Sequence, residues 1–93
     1  MSKLSENDVE EFLKTLPTWG RDGDFLVREH ISESAEAAIA RFNAIAERAE
    51  AAHHHPNLTW VYNRLSIRLQ THDAGGITAQ DTDLARQIEE VLL

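Results

Sequence analysis

The stretch Thr59-Trp60-Val61-Tyr62-Asn63-Arg64-Leu65-Ser66-Ile67-Arg68-Leu69-Gln70-Thr71 decides the fold. Its second half alternates strictly, with Leu65, Ile67 and Leu69 facing one way and Ser66, Arg68 and Gln70 the other, the period of a half-buried strand. The β-favouring run Thr59 to Tyr62 stands before it, and Asn63-Arg64 between the two reads as a tight turn, so the segment predicts strand, turn, strand.

Upstream, from about Ser34 to Ala52, the composition shifts to Ala, Glu and Arg, with Ala35, Ala38, Ile39, Phe42, Ile45, Ala46 and Ala49 on one helical stripe. Because that stripe is mostly alanine, whatever packs against it approaches closely. Pro56 and Asn57 stop this segment. Further upstream, the Arg21-Asp22-Gly23-Asp24 turn signal inside Trp19 to Ile31 predicts a second hairpin. Before it, Ser5 to Asp8 reads as a capping box for a short helix carrying Val9, Phe12, Leu13 and Leu16, which Pro17 ends. Downstream, Asp73-Ala74-Gly75-Gly76 is a loop, Thr78 to Asp81 is another capping box, and Leu84, Ile88 and Val91 line a last helix. Helix, hairpin, helix, hairpin, helix predicts an α+β two-layer domain: a four-stranded, mainly antiparallel sheet with helices packed on one face. The length predicts a single domain over residues 1–93 with one small core.

Sixteen Asp and Glu against nine Lys and Arg give a formal charge of −7, which argues against a surface for a phosphate backbone and hence against nucleic acid as a direct partner. The absence of cysteine rules out a disulfide framework, a thiolate zinc site and a thiol nucleophile, and leaves a cytoplasmic setting as the default. Met1-Ser2-Lys3-Leu4 runs into charged residues without an apolar signal region, and no stretch approaches the roughly 18 apolar residues of a membrane span. Neither that secretion route nor a membrane is expected.

The anomaly is histidine. His53, His54 and His55 are consecutive before Pro56, and His72 follows. Imidazole titrates near neutrality, so neighbouring rings can supply an acid and a base at working pH. The plainer alternative is a polar helix C-terminus, where His complements the last carbonyls. A metal is not expected, because three consecutive histidines cannot aim at one ion from one helical turn and no spacing matches a zinc template. No nucleophile elbow surrounds any serine, and Gly75-Gly76 lacks the spacing of a phosphate loop. Glu50 reads most simply as a solvated helix residue, Asp81 as the third residue of a helix cap, and Trp60 and Tyr62 as core aromatics of a strand.

Glu50, three residues, His54-His55-Pro56, five residues, Tyr62, nine residues, His72, eight residues and Asp81 make a pattern that resembles the signature of the pterin-4a-carbinolamine dehydratases. The resemblance runs through Val61-Tyr62-Asn63-Arg64 and Thr71-His72-Asp73-Ala74-Gly75-Gly76, covering about Ala46 to Ala85. His53, Leu58 and Trp60 depart from the family's usual residues.

The resemblance implies a hydro-lyase that dehydrates a 4a-hydroxytetrahydropterin to the quinonoid dihydropterin, recycling the pterin used by an aromatic amino acid hydroxylase, with no metal or organic cofactor. Loss of water from C4a needs a proton delivered to the leaving hydroxyl and one removed from N5. The implied catalytic residues are His54, His55, His72 and Asp81, with His54 and His72 in acid/base work and His55 mainly holding the pterin. Glu50 joins His55 in substrate binding, and Glu50 and Asp81 orient imidazoles. Trp60, which departs from the family's usual residue, is a binding candidate on its own chemistry, as an aromatic suited to stacking on a pterin ring. The resemblance further implies a homodimer or homotetramer. It also carries an alternative role as a dimerisation cofactor or assembly factor acting through protein contacts.

Overall fold

The computed structural model describes residues 2–93. Its elements are α1 (Glu6–Thr15), β1 (Gly20–Asp22), β2 (Phe25–Ile31), α2 (Ala35–Ala52), β3 (Asn57–Val61), β4 (Arg64–Leu69), a single 3-10 turn at His72–Ala74, and α3 (Ala79–Leu92). The four strands form one sheet in the order β1-β2-β4-β3, antiparallel at every pairing. The α+β sheet-and-helix architecture expected from the sequence is the one observed.

The alternation in β4 explains the layering. As an inner strand of the sheet, β4 has Leu65, Ile67 and Leu69 fully covered, and Leu26 of β2 pairs with Leu69 to extend that apolar face. Against it lie Val9 and Phe12 of α1, Ile45 and Ala49 of α2, and Leu84, Ala85 and Ile88 of α3. Ala38 and Ala49 have no side chain beyond Cβ to hold neighbours away, so α2 sits close to its supports. Its apolar stripe is wider than the contact: Ile39 remains 40% exposed and Ala46 is also exposed.

Each α-helix begins at a side-chain cap, at Ser5 and Thr78 as the sequence predicts and also at Ser34. Ser5 accepts from the Asp8 N–H, Ser34 from the Ala37 N–H, and Thr78 caps α3. One polar cluster sits on the helix side of the sheet. Arg28, whose β4 partner is Ile67, meets Glu89 of α3 at 3.1 Å, and the Trp19 ring N–H donates to the same Glu89 oxygen at 2.9 Å. Such a charge is tolerated in the core because it is paired and hydrogen-bonded.

Two details differ from the sequence reading. The second hairpin turns at Tyr62-Asn63, one residue earlier than Asn63-Arg64, because Val61 pairs with Arg64. Asn63 is fixed there by Ser32, whose N–H donates to its carbonyl at 2.7 Å and whose carbonyl accepts from its side-chain amide at 3.1 Å. Nor are Trp60 and Tyr62 core residues: they are 46% and 71% exposed. Trp60 is on the edge strand β3, and Tyr62 occupies the turn with a left-handed φ of 52°.

Candidate active site

Helix α2 ends without a glycine. His53 takes the left-handed conformation itself, with φ 53°. Its N–H reaches the Glu50 carbonyl and the His54 N–H reaches the Ala49 carbonyl, each at 3.1 Å, the paired bonds of a Schellman motif. The chain thereby reverses within one residue, and the His54 ring, 11% exposed, is carried against the start of α3.

At that start stands the capping box. Asp81, fully buried, accepts the Thr78 backbone N–H on Oδ2 at 2.8 Å. The same oxygen accepts the Thr71 hydroxyl at 2.8 Å, while Oδ1 lies 2.5 Å from His54 Nε2. A carboxylate only accepts, so Nε2 carries the hydrogen and the lone pair of a neutral His54 ring is on Nδ1. A buried acid that fixes one imidazole tautomer in this way prepares the opposite nitrogen to take a proton.

His72 comes from the loop after β4. Thr71 anchors that loop, accepting the Ala74 and Gly75 N–H groups on its carbonyl and donating its own N–H to Gly76. Gly75, at φ 70°, closes the turn, and His72 is left exposed at its start. His55 lies on the other flank. Its Nε2 is 2.9 Å from Glu50 Oε1, with both side chains largely in solvent. This hydrogen bond, together with the attraction of the His55 charge, holds the Glu50 carboxyl below the usual carboxylate range.

His53, His54, His55 and His72 line one polar cleft of about 360 Å³, with Gln70, Thr71, Asp73 and Gln80. Volumes of this order suit small-molecule sites. Beside it runs an apolar groove of about 340 Å³ bounded by Phe42, Ala46, Ala49, Pro56 and Leu58, and Glu50 and His55 stand on its wall. His55 therefore borders both spaces. The fold brings together His54, His55 and His72 in the cleft, with Asp81 behind His54 and Glu50 behind His55. Trp60 lines neither space and donates its ring N–H to the Tyr62 carbonyl of its own hairpin. Among the described residues, no group of three His, Asp or Glu side chains is arranged to hold a metal ion, and no helix is long and apolar enough to cross a membrane.

Thr71, Gln70 and Gln80 are not among the site residues expected from the sequence, although Thr71 opens one of the stretches that carry the resemblance. Thr71 is adjacent to His72, but its bond to Asp81 spans a loop, and no local pattern announces it.

Residues 2–91 match the family model described as pterin 4 alpha carbinolamine dehydratase. The chain belongs to this family. A Thermomicrobium roseum protein named "Putative pterin-4-alpha-carbinolamine dehydratase" is 43% identical over 91 residues, covering 98% of each chain. A Nocardia farcinica protein of the same name is 44% identical over 88 residues, covering 95% of this chain and 93% of its own. The crystal structure of a transcriptional coactivator/pterin dehydratase from Brucella melitensis superposes with a TM-score of 0.95 at 26% identity, covering 99% of this chain and all of that one. The match to the pterin carbinolamine dehydratase family, over residues 2–91, includes every residue of the cleft.

Proposed function

We propose that this protein dehydrates a 4a-hydroxytetrahydropterin to the quinonoid dihydropterin and water, by acid/base catalysis between histidines. The observation that carries this reading is the buried Asp81 carboxylate 2.5 Å from His54, in a cleft that His72 enters from a separate loop. In the reaction the C4a–O bond breaks as its hydroxyl takes a proton and leaves as water. The N5–H bond gives its proton to a base, and its electron pair forms the N5=C4a double bond.

His54 and His72 divide these two proton transfers, and Asp81 orients His54. His55, fixed by Glu50, holds the pterin, and Trp60 is the outlying member of the proposed binding set. No metal or organic cofactor takes part, and the setting is a cytoplasmic pterin-recycling step. The test is the dehydration rate of freshly generated 4a-hydroxytetrahydropterin with and without the protein, before and after exhaustive chelation. A large catalysed excess that survives chelation is expected. A rate equal to the spontaneous one overturns the reading.

A second reading is favoured by the Brucella structure, whose name joins coactivator to dehydratase. In this reading the protein also acts through protein contacts, as a dimerisation cofactor or assembly factor. The exposed Ile39 and Ala46 on α2 and the edge strands β1 and β3 suit association, first of all as a homodimer or homotetramer. Light scattering at micromolar concentration is expected to give a multiple of the 10.5 kDa chain mass, and a monomer throughout contradicts that assembly.

A further inference from the structure

The His72 loop and the His54–Asp81 pair reach the cleft from different parts of the chain, yet both depend on one residue. We propose that Thr71 is a positioning residue that couples the two imidazoles, setting His54 through the Asp81 carboxylate and His72 through the turn that Thr71 anchors. This rests on the acid/base reading of the cleft.

The hydrogen bookkeeping is closed. Thr71 Oγ1 is 2.8 Å from Asp81 Oδ2 and 2.7 Å from Thr78 Oγ1. A threonine hydroxyl has one hydrogen and the carboxylate has none to give, so Thr71 donates to Asp81 and Thr78 donates to Thr71. Thr78 Oγ1 in turn accepts the Gln80 N–H at 3.2 Å. The result is a directed chain, Thr78 to Thr71 to Asp81, and the carboxylate's other oxygen meets His54.

The backbone of Thr71 is equally committed. Its N–H donates to the Gly76 carbonyl at 2.9 Å, and its carbonyl accepts from Ala74 and Gly75 at 3.1 Å each. These bonds close the turn that begins at the next residue, His72. Thr71 is only 8% exposed, which leaves water little room to replace a lost hydroxyl bond. Without that hydroxyl, Asp81 Oδ2 keeps only the Thr78 N–H and can pivot with His54. The His72 turn meanwhile loses its side-chain bonds to Thr78 and Asp81. Small displacements of acid/base groups are costly, because proton transfer needs near-ideal separation and alignment.

The test compares Thr71→Val, which keeps the shape without the hydroxyl, with Thr71→Ser, which keeps the hydroxyl. The readouts are kcat, KM and the ring-proton NMR signals of His54 and His72. Thr71→Val is expected to lower kcat about tenfold or more with KM little changed, and to move both rings' signals. Thr71→Ser is expected to restore the rate to within a few-fold and leave both rings near their original positions. Thr71→Ala is a second hydroxyl-free variant should Thr71→Val not fold. Movement of only one ring, or equal losses in the Ser and Val variants, overturns the coupling. Absence of dehydration by the unmodified protein would overturn the dehydratase reading instead, and the two-ring response would then decide the coupling alone.

Discussion

Asp81 Oδ1 lies 2.5 Å from His54 Nε2, so the imidazole just past the end of α2 is held by the carboxylate that caps the start of α3. Asp81 thus makes both contacts, the helix cap with one oxygen and the imidazole with the other. Oδ2 serves the cap and Oδ1 serves the ring.

Substitution separates these tasks. Asp81→Asn keeps an oxygen for the cap but presents an amide to His54, reversing the hydrogen that fixes its tautomer. It should lose rate several-fold more than its stability change explains. Thr78→Ala damages the same cap from the other side and should cost roughly 0.5–2 kcal/mol with little loss of rate. Unfolding midpoints and dehydration rates of both variants check this. If both lose only stability, Asp81 acts as a cap alone.

His54→Ala and His72→Ala should each lower turnover about 10²-fold, the lower end for removal of a general acid or base. His55→Ala, at the exposed flank beside Glu50, should act chiefly on KM. Steady-state kinetics of the three variants decide between divided roles and a merely polar helix end. Equal and small effects at every position would favour the latter.

The left-handed φ of 53° at His53 predicts a gain from glycine. A side chain in this conformation costs about 1–2 kcal/mol, offset in part by glycine's greater freedom in the unfolded chain. His53→Gly should therefore raise stability by roughly 0.5–1 kcal/mol, measured by urea denaturation. A loss of stability would mean that the His53 ring makes contacts worth more than the strain.

Acid should weaken the fold in two stages. Burial is the main force holding His30 below the usual imidazole value of 6.5, with the Arg28 and Arg41 charges adding to it. The folded state thus prefers the neutral ring, and this contribution is intact above pH 6.5 and lost as pH falls through the lowered value. At Glu89 burial acts upward, but hydrogen bonds from Arg28 and Trp19 outweigh it and the carboxyl ends below its usual 4.5. Its contribution is present above pH 4.5 and disappears as pH drops through the depressed value. Urea midpoints from pH 8 to pH 3 should fall gently at first and then steeply. Glu89→Ala, which leaves the largely buried Arg28 without its carboxylate partner, should cost about 3 kcal/mol or more at neutral pH. A flat profile would show that the pair contributes nothing to pH dependence.

The sequence by itself determined the elements and their order. Leu65, Ile67 and Leu69 alternate because one face of β4 is buried, and Ser5, Ser34 and Thr78 start helices because their oxygens satisfy free N–H groups. Such signals are local, each readable within a turn or two of chain. The motif from Glu50 to Asp81 likewise marked His54, His55 and His72 as one set. Only the tertiary structure decided what those residues touch. His54 meets Asp81 across 27 positions, Thr71 meets the same carboxylate across ten, and Trp60 stays on an exposed edge strand rather than entering the core. The hairpin turn moved by one residue because Asn63 is fixed by Ser32, 31 positions away. Hydrogen bonds between distant elements depend on how helices and strands pack, and that geometry is set by the whole core rather than by any one stretch of chain.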